Sequence, residues 1–565
     1  MSRRSSAAST QMKARAISRD DIENVLKRYS NHLRNFKFDN ARSELDEERM
    51  LFTQSYQKNP GNMQWASLLA VLSQMALVEK AYFAFSFLAP KGFLLERIKD
   101  NKLNYNACRA ELARITHQES TAPSHHNLSA IDEHQAQGNS RKRSSQSQTD
   151  YNSRSAASAV NISKATTPDS GRSVNAEQTT GIRRQMSTPN ACPEQAFLSD
   201  SDPGLQKAGQ NENAVDTSRE RLVDHFVNQF IAYVNARIDM IIVYFKLAQL
   251  PTAEPLPKIN EVLNDIDTIR NRVAGSFNHP FISAIEDNFN YEIDILTKLV
   301  RAHKSISELR CLKSMLDLRD SHDNLRIWAR DQETKSNETQ QSSWFSWGDS
   351  AKTNDKIVMC SWMRRYHDAL VSKFTLYFHE TLSSQSSPGE FSKQCGMLTT
   401  NYMQKIEKFH KRIEAISICL LVDAAKVPNG FEGLGFHLPE YRDHKRDGLT
   451  RYPVVFCCTR SDQKATTRPE QKEKAFIVPS LVMMLQQDNR SSFELGKVET
   501  RPQQGQEDPD LNISFCAIEH HLFLFVIFSS RKPHRDINHV KAFIQELYND
   551  LHFHRLFQTM KSISK

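Results

Sequence analysis

The sequence predicts an α+β protein, with an N-terminal antiparallel helical bundle packed against a C-terminal α/β module. Three observations predict it. Residues 222–250 carry Val223, Phe226, Val227, Phe230, Val234, Ile238, Ile241 and Phe245 at helical spacing, a stripe about six turns long. The second half of that stretch is apolar nearly all round and therefore needs several helical partners. Helical periods of similar strength recur over 65–88 and 357–378. Beyond residue 415 the pattern changes to short runs of β-branched and apolar residues, as in buried strands. Asn235, Arg237 and Asp239 lie inside the longest stripe, which argues against a membrane span because they would sit in hydrocarbon.

Residues 1–18 are rich in Ser, Ala and Arg and read as a disordered tail. Residues 19–116 read as the first part of the bundle. Ile22, Val25, Leu26, Tyr29 and Leu33 share one helical face, Phe36 and Phe38 mark a bend, and Ala41, Leu45 and Leu51 continue in a charged helix. Asn59-Pro60-Gly61-Asn62 breaks the chain. Along 65–88, Leu68, Leu69, Leu72, Met75, Ala76, Glu79, Tyr82 and Phe83 stack on one helix, and a more polar helix fills 91–116. Residues 117–218 lose aromatics and apolar period together and read as a disordered, low-complexity insert. Such an insert is tolerated because closure entropy grows only with the logarithm of length. Within it, Arg141-Lys142-Arg143 before Ser144 and Arg183-Arg184 before Ser187 resemble basic-directed kinase sites.

The second part of the bundle spans 219–381. Pro251, Pro255 and Pro257 form a linker, 259–273 is helical, and Asn278-His279-Pro280 is a turn. A helix from Phe281 carries Leu296, Leu299, Val300, His303, Ile306 and Leu309, with Leu312, Leu316 and Leu318 continuing the same face. The polar loop 332–352 holds Trp344, Phe345 and Trp347, rings that either tuck back onto the bundle or dock a partner. Trp362, Tyr366, Phe374, Tyr377 and Phe378 give 357–381 an aromatic face. After a linker at 382–390, the α/β module spans 391–560. It is expected to hold one helix over 391–415, strands at 416–422 and 452–458, and a third strand or short helix at 475–485. A hairpin of 512–518 and 522–529 turns near His520, and a helix over 536–549 closes the chain. Strands on one side and helices on the other is the expected layering.

The chain of 565 residues has 74 Lys plus Arg against 66 Asp plus Glu, a formal charge of +8 and a pI near 8.9. Much of the excess lies in Ser/Arg clusters of the tail and the insert. No dense basic array with interleaved aromatics falls on a folded element, so no nucleic-acid partner is indicated. The nine cysteines are Cys108, Cys192, Cys311, Cys360, Cys395, Cys419, Cys457, Cys458 and Cys516. They form no CxxC pair, and most lie in or beside apolar runs, as reduced buried thiols do. Adjacent Cys457 and Cys458 face opposite sides of their strand. The N-terminus has no apolar signal region, no run reaches membrane-spanning length, and Ser2 stands where myristoylation needs glycine. Membrane residence is expected only through partners.

No stretch matches a phosphate-binding loop, a dinucleotide fingerprint, a nucleophile elbow or a kinase signature. Gly430, Gly433 and Gly435 follow a strand but open no helix. His279, His303, His367, His520, His521, His552 and His554 are scattered and lack metal-site spacing, and no cofactor is expected. One loop gathers His437, Glu440, Asp443 and His444 around Pro439 and Tyr441. It reads first as a rigid cover for the sheet edge and second as a hydrolase site using His437 and Asp443. Ser417, the local nucleophile candidate, lies inside an apolar run.

The order of the pieces is distinctive. Trp65-Ala66-Ser67-Leu68-Leu69-Ala70, Ala76-Leu77-Val78-Glu79-Lys80-Ala81-Tyr82 and Phe277-Asn278-His279-Pro280 precede Lys373-Phe374-Thr375-Leu376-Tyr377-Phe378-His379-Glu380. Gly433, Gly435, Phe436, His437 and Pro439 follow, then Tyr452-Pro453-Val454-Val455, the strand 523–528, and Ser529, Arg531 and Lys532. In that order they resemble the KICSTOR complex subunit 2 family over 20–115 and 219–560. The insert at 117–218, in place of a short Gly-rich loop, and the polar segment 490–509 depart from the family pattern. The resemblance implies a non-catalytic scaffold subunit, with no catalytic, cofactor or metal residue. Its complex recruits the Rag GTPase-activating complex to lysosomes and restrains TOR complex 1 when amino acids or glucose are scarce. The implied partners resemble kaptin, an integrin-FG-GAP-repeat protein and the very large seizure-threshold protein. The resemblance also implies a roadblock/longin-like α/β module and a cytoplasmic location, peripheral on the lysosomal membrane. The alternative from another class is a cytoskeletal or Rab-type trafficking adaptor.

Overall fold

The first helix begins where the Ser18 hydroxyl accepts from Asp21 N at 3.1 Å and the Asp21 carboxylate accepts from Ser18 N at 3.2 Å, a reciprocal cap that satisfies two orphan donors. The computed structural model describes residues 18–55, 60–88, 105–115, 211–250, 255–333, 357–428, 430–431, 433–434, 448–459, 478–486, 493–502, 511–529 and 533–562. The chain divides into two units, Met1–Glu119 with Val215–Lys565, and Ser120–Ala214. Of the second, only 211–214 are described, so the fold given is that of the first.

The N-terminal region is helical: α1 (Arg19–Arg34), α2 (Phe38–Ser55), α3 (Pro60–Phe83), α4 (Tyr105–Ile115), α5 (Asn211–Leu247), α6 (Pro255–Val273), α7 (Ser283–Ser307), α8 (Cys311–Glu333), α9 (Val358–Tyr377) and α10 (His379–Ser384). Helix α5 is the expected central element, but its buried seam turns. Val223, Phe226, Val227, Phe230 and Val234 are buried as read, whereas beyond them Arg237, Met240, Tyr244 and Leu247 face the core. Ile238 and Ile241 are only partly buried, and Phe245 is 40% exposed. By length and composition alone, residues Gln64–Phe83 of α3 are apolar enough to cross a membrane, against the expectation that no run reaches that length. The apolar window of that run is 61% buried inside the protein, with Leu68, Leu69, Leu72 and Met75 in the core.

The expected continuation from Leu309 to Leu318 is interrupted. Leu309 adopts a left-handed φ of 56°, and Arg310 N donates to Ser305 O at 2.8 Å, closing α7 as a left-handed cap does. The chain restarts as α8 in a new direction, which leaves Leu312 and Leu316 exposed while Leu318 stays buried. The single helix expected over 391–415 is likewise two, α11 (Pro388–Gly396) and α12 (Tyr402–Ile413). Ser387 and Asn401 cap them, accepting from Glu390 N and Gln404 N.

The C-terminal region is mixed α/β: β1 (Ser417–Val422), β2 (Val454–Thr459), α13 (478–486), β3 (Val498–Pro502), β4 (Leu511–Glu519), β5 (Leu522–Ser529), α14 (Pro533–Leu551) and α15 (His554–Ser562). The strand-or-helix alternative at 475–485 resolves as a helix, and β3 emerges from the segment read as polar. The five strands pair antiparallel in the order β2-β1-β5-β4-β3. Both faces of the sheet are covered, in place of the expected one-sided layering. Ile418, Leu420, Leu524 and Val526 join the large core with Val540, Ile544 and Leu547 of α14. The alternate residues Cys419, Leu421, Phe515, Phe523 and Phe525 form a smaller core with Leu481, Val482 and Leu485 of α13. The unbroken apolar runs of β1 and β5 are what strands buried on both faces require.

Candidate functional site

Two buried clusters of charge organise the interior. In the first, Arg237 of α5 is fully buried between Glu79 of α3 and Glu292 of α7. Its Nη1 donates to Glu292 Oε2, and its Nε donates to Tyr233 Oη at 2.8 Å. Tyr82 and Tyr244 donate to Glu292 Oε1 at 2.5 and 3.0 Å, while Tyr105 and Tyr233 donate to Glu79 at 2.6 and 3.0 Å. The guanidinium also lies 4.5 Å from the centre of the Tyr82 ring. Burial opposes its charge, but Tyr233, Glu292 and Glu79 outweigh that penalty and keep it ionised. Burial raises Glu79 above the usual carboxylate range and holds the four phenols protonated as donors.

The second cluster joins the helical region to the sheet. Lys373 of α9 is fully buried and donates to Glu519 Oε1 of β4 at 2.9 Å and to Ser307 Oγ of α7 at 3.2 Å. Ser307 Oγ donates to the same carboxylate oxygen at 3.1 Å. His552 Nε2, in the turn just after α14, lies 3.9 Å from it. Burial would raise the Glu519 pKa, but Lys373, His552 and His521 prevail and hold it at about 2. Burial lowers His552 to about 4 and His303, which meets Tyr366 Oη at 2.8 Å, well below its usual value. Ion pairs sealed this way fix which elements meet; losing one partner is far more costly than exchanging both.

Trp344, Phe345, Trp347, Ser144, Ser187, His437, Glu440, Asp443 and His444 lie outside the described residues. Ser417 is described and fully buried inside β1, its Oγ 3.0 Å from Cys419 Sγ and 3.6 Å from Cys457 Sγ, a position that does not present a nucleophile. Asp423 is buried just after β1. Arg451 clamps it in bidentate fashion at 2.8 and 2.9 Å, and its backbone N donates to His521 O at 2.8 Å. Among the described residues no group of three or more His, Cys, Asp or Glu is placed to hold a metal ion. Leu312, Met315 and Leu316 form an exposed apolar stripe at helical spacing on α8. The edge strand β3 carries a paired Glu499 and Arg501 and ends at Pro502, features that blunt an edge.

The two sealed ion-pair clusters join helices to one another and the helical region to the sheet, an architectural use of buried charge. The family model described as KICSTOR complex C12orf66 like matches residues 14–141 and 205–565, and the chain belongs to that family. A KICSTOR subunit 2 of Danio rerio is 28% identical over 346 residues, 61% of this chain and 73% of the relative. A KICSTOR subunit 2 of Xenopus laevis is 24% identical over 546 residues, 96% of this chain and 97% of the relative.

Proposed function

We propose that this chain is a non-catalytic scaffold subunit of a KICSTOR-like complex, acting as a negative regulator of TOR complex 1 during amino-acid and glucose deprivation. The observation that carries this reading is the family match across both the helical and the α/β regions, with one KICSTOR subunit 2 aligned over nearly the full length of both chains. The proposed partners resemble kaptin, the integrin-FG-GAP-repeat protein and the very large seizure-threshold protein, and through them the Rag GTPase-activating complex. The proposed location is cytoplasmic and peripheral on the lysosomal membrane, reached through those partners. The α/β module at 391–560 is proposed to be roadblock/longin-like; its central antiparallel sheet flanked by helices supports that reading. Residues 19–116 and 219–381 are proposed as two parts of one bundle around the insert at 117–218.

Trp344, Phe345 and Trp347 are proposed as a partner-docking patch, since large aromatics desolvated on binding often contribute about 2 kcal/mol or more each. Their triple alanine variant should melt with the parent yet lose the large KICSTOR-like subunit on co-purification; retained binding would remove the patch. The functional reading is tested in cells lacking the chain. Under amino-acid or glucose withdrawal, phosphorylation of TOR complex 1 substrates should persist, and a His437→Ala/Asp443→Ala variant should restore its decline. A normal decline without the chain would contradict the scaffold role. Failure of a folded, partner-bound double variant to restore it would favour chemistry in that loop.

A further inference from the structure

We propose that Cys419 and Cys457 form a reversible cross-strand disulfide, a redox modification site that fastens the edge strand β2 to β1. The strand register sets Cys419 directly opposite Cys457, with Ile418 facing Cys458 and Leu420 facing Phe456. The two sulfurs are 2.8 Å apart and not bonded, against about 2.05 Å for a disulfide. Opposed residues on antiparallel strands hold their Cβ atoms about 4.5–5.5 Å apart, and a disulfide takes about 3.5–4.5 Å. Closure therefore asks for a small approach of the two strands. The fold allows it there: among the described residues β2 pairs on one side only, and the β1–β2 register shifts between Leu420 and Leu421, close to the pair.

Access sets the order of events. Cys419 is 1% exposed and packs in the smaller core, whereas Cys457 is half-buried on the same face. An oxidant from solvent meets Cys457 first, and Cys419 resolves. The oxidant named here is a low-molecular-weight disulfide such as oxidised glutathione. The Cys457 thiolate attacks one of its sulfurs, the S–S bond breaks, and one glutathione thiolate leaves and takes up the proton Cys457 lost. The Cys419 thiolate then attacks Cys457 Sγ and expels the second glutathione, which takes up the Cys419 proton. The protein dithiol loses two electrons and the small disulfide gains them. Ser417 Oγ, near both sulfurs, is placed to donate to the thiolate at each step.

The pairing is not a general crowding of thiols. Cys458, the next residue, faces the large core on the opposite side of the sheet.

The test equilibrates the purified full chain in glutathione buffers of increasing oxidised fraction, quenches with an alkylating reagent under denaturing conditions, and maps peptides without reduction. The expected result is a linked pair of peptides holding Cys419 and Cys457, lighter by two hydrogens and released by dithiothreitol. The link should survive in Cys458→Ser and vanish in Cys457→Ser, and the oxidised parent should melt above its reduced form. Full alkylation of both cysteines at the oxidising end would overturn the proposal. So would a link through Cys458, or glutathione retained on Cys457 as the end product.

Discussion

Lys373 ties the helical region to the α/β region. Its ammonium has no exposed surface and pairs with Glu519 across the boundary between α9 and β4. Lys373→Met would strand the Glu519 carboxylate in the interior, at a cost on the order of 3–5 kcal/mol, whereas the double variant Lys373→Met/Glu519→Gln should recover much of it. Urea unfolding measures both, and a single-variant loss below about 1 kcal/mol would contradict the sealed pair. The same cluster sets an acid limit. The His552 pKa is about 4 in the folded chain and about 6.5 unfolded, so between those values the unfolded chain binds the extra proton. Stability should fall as pH drops from 6.5 towards 4, and His303, lowered in the same sense, adds to the slope. A urea midpoint flat across that window would contradict it. The sequence held half of the Arg237 cluster: Glu79 lies on the apolar face of its helix and Arg237 inside the central stripe. Nothing local joins residue 79 to 237 and 292, because only the packing of three helices does so.

Helix ends were the least legible elements, for one physical reason. Glycine is the usual residue just beyond a helix, but Phe36, Phe85, Leu309, Glu414 and Phe553 take the left-handed conformation here, with φ between 50° and 57°. Each is disfavoured by roughly 1–2 kcal/mol, and for Phe85, Leu309 and Phe553 the side chain is buried, which offsets it. A periodicity reader sees Leu309 as another core leucine and carries the helix through it. The strands of the sheet's centre were legible because their apolar runs are unbroken; β3, with Glu499, Thr500 and Arg501 on an edge, was not. Gly496 is constrained by both its conformation and its surroundings. Gly496 has φ 73°, its N donates to Ala517 O at 3.0 Å, and an added Cβ would lie 2.7 Å from Tyr548 Cζ. Gly430 has φ 84° with nothing within 4 Å of that position. Gly496→Ala should therefore lower the melting temperature more than Gly430→Ala, and equal effects would show that the Tyr548 ring yields freely.

At the scale of the molecule, the core is shared by segments on both sides of the insert. Tyr82 and Glu79 on α3 bond to Glu292 and Tyr233 on α7 and α5, and Asn288 Nδ2 donates to Arg34 O at 2.9 Å. Limited proteolysis should cut first within 117–218, as its composition directs, and the two fragments should elute together. Separation under native conditions would show that the helical segments do not share one core. The collinear motifs made the family legible, and the family match reaches beyond them, to 141 and back to 205. The measurement that bears most directly on the scaffold role is affinity purification of the intact chain, with its bound proteins identified and quantified against a mock sample. The expected result is recovery of subunits resembling kaptin, the integrin-FG-GAP-repeat protein and the very large seizure-threshold protein. A stable assembly of cytoskeletal or Rab-trafficking proteins, with none of those subunits, would contradict it.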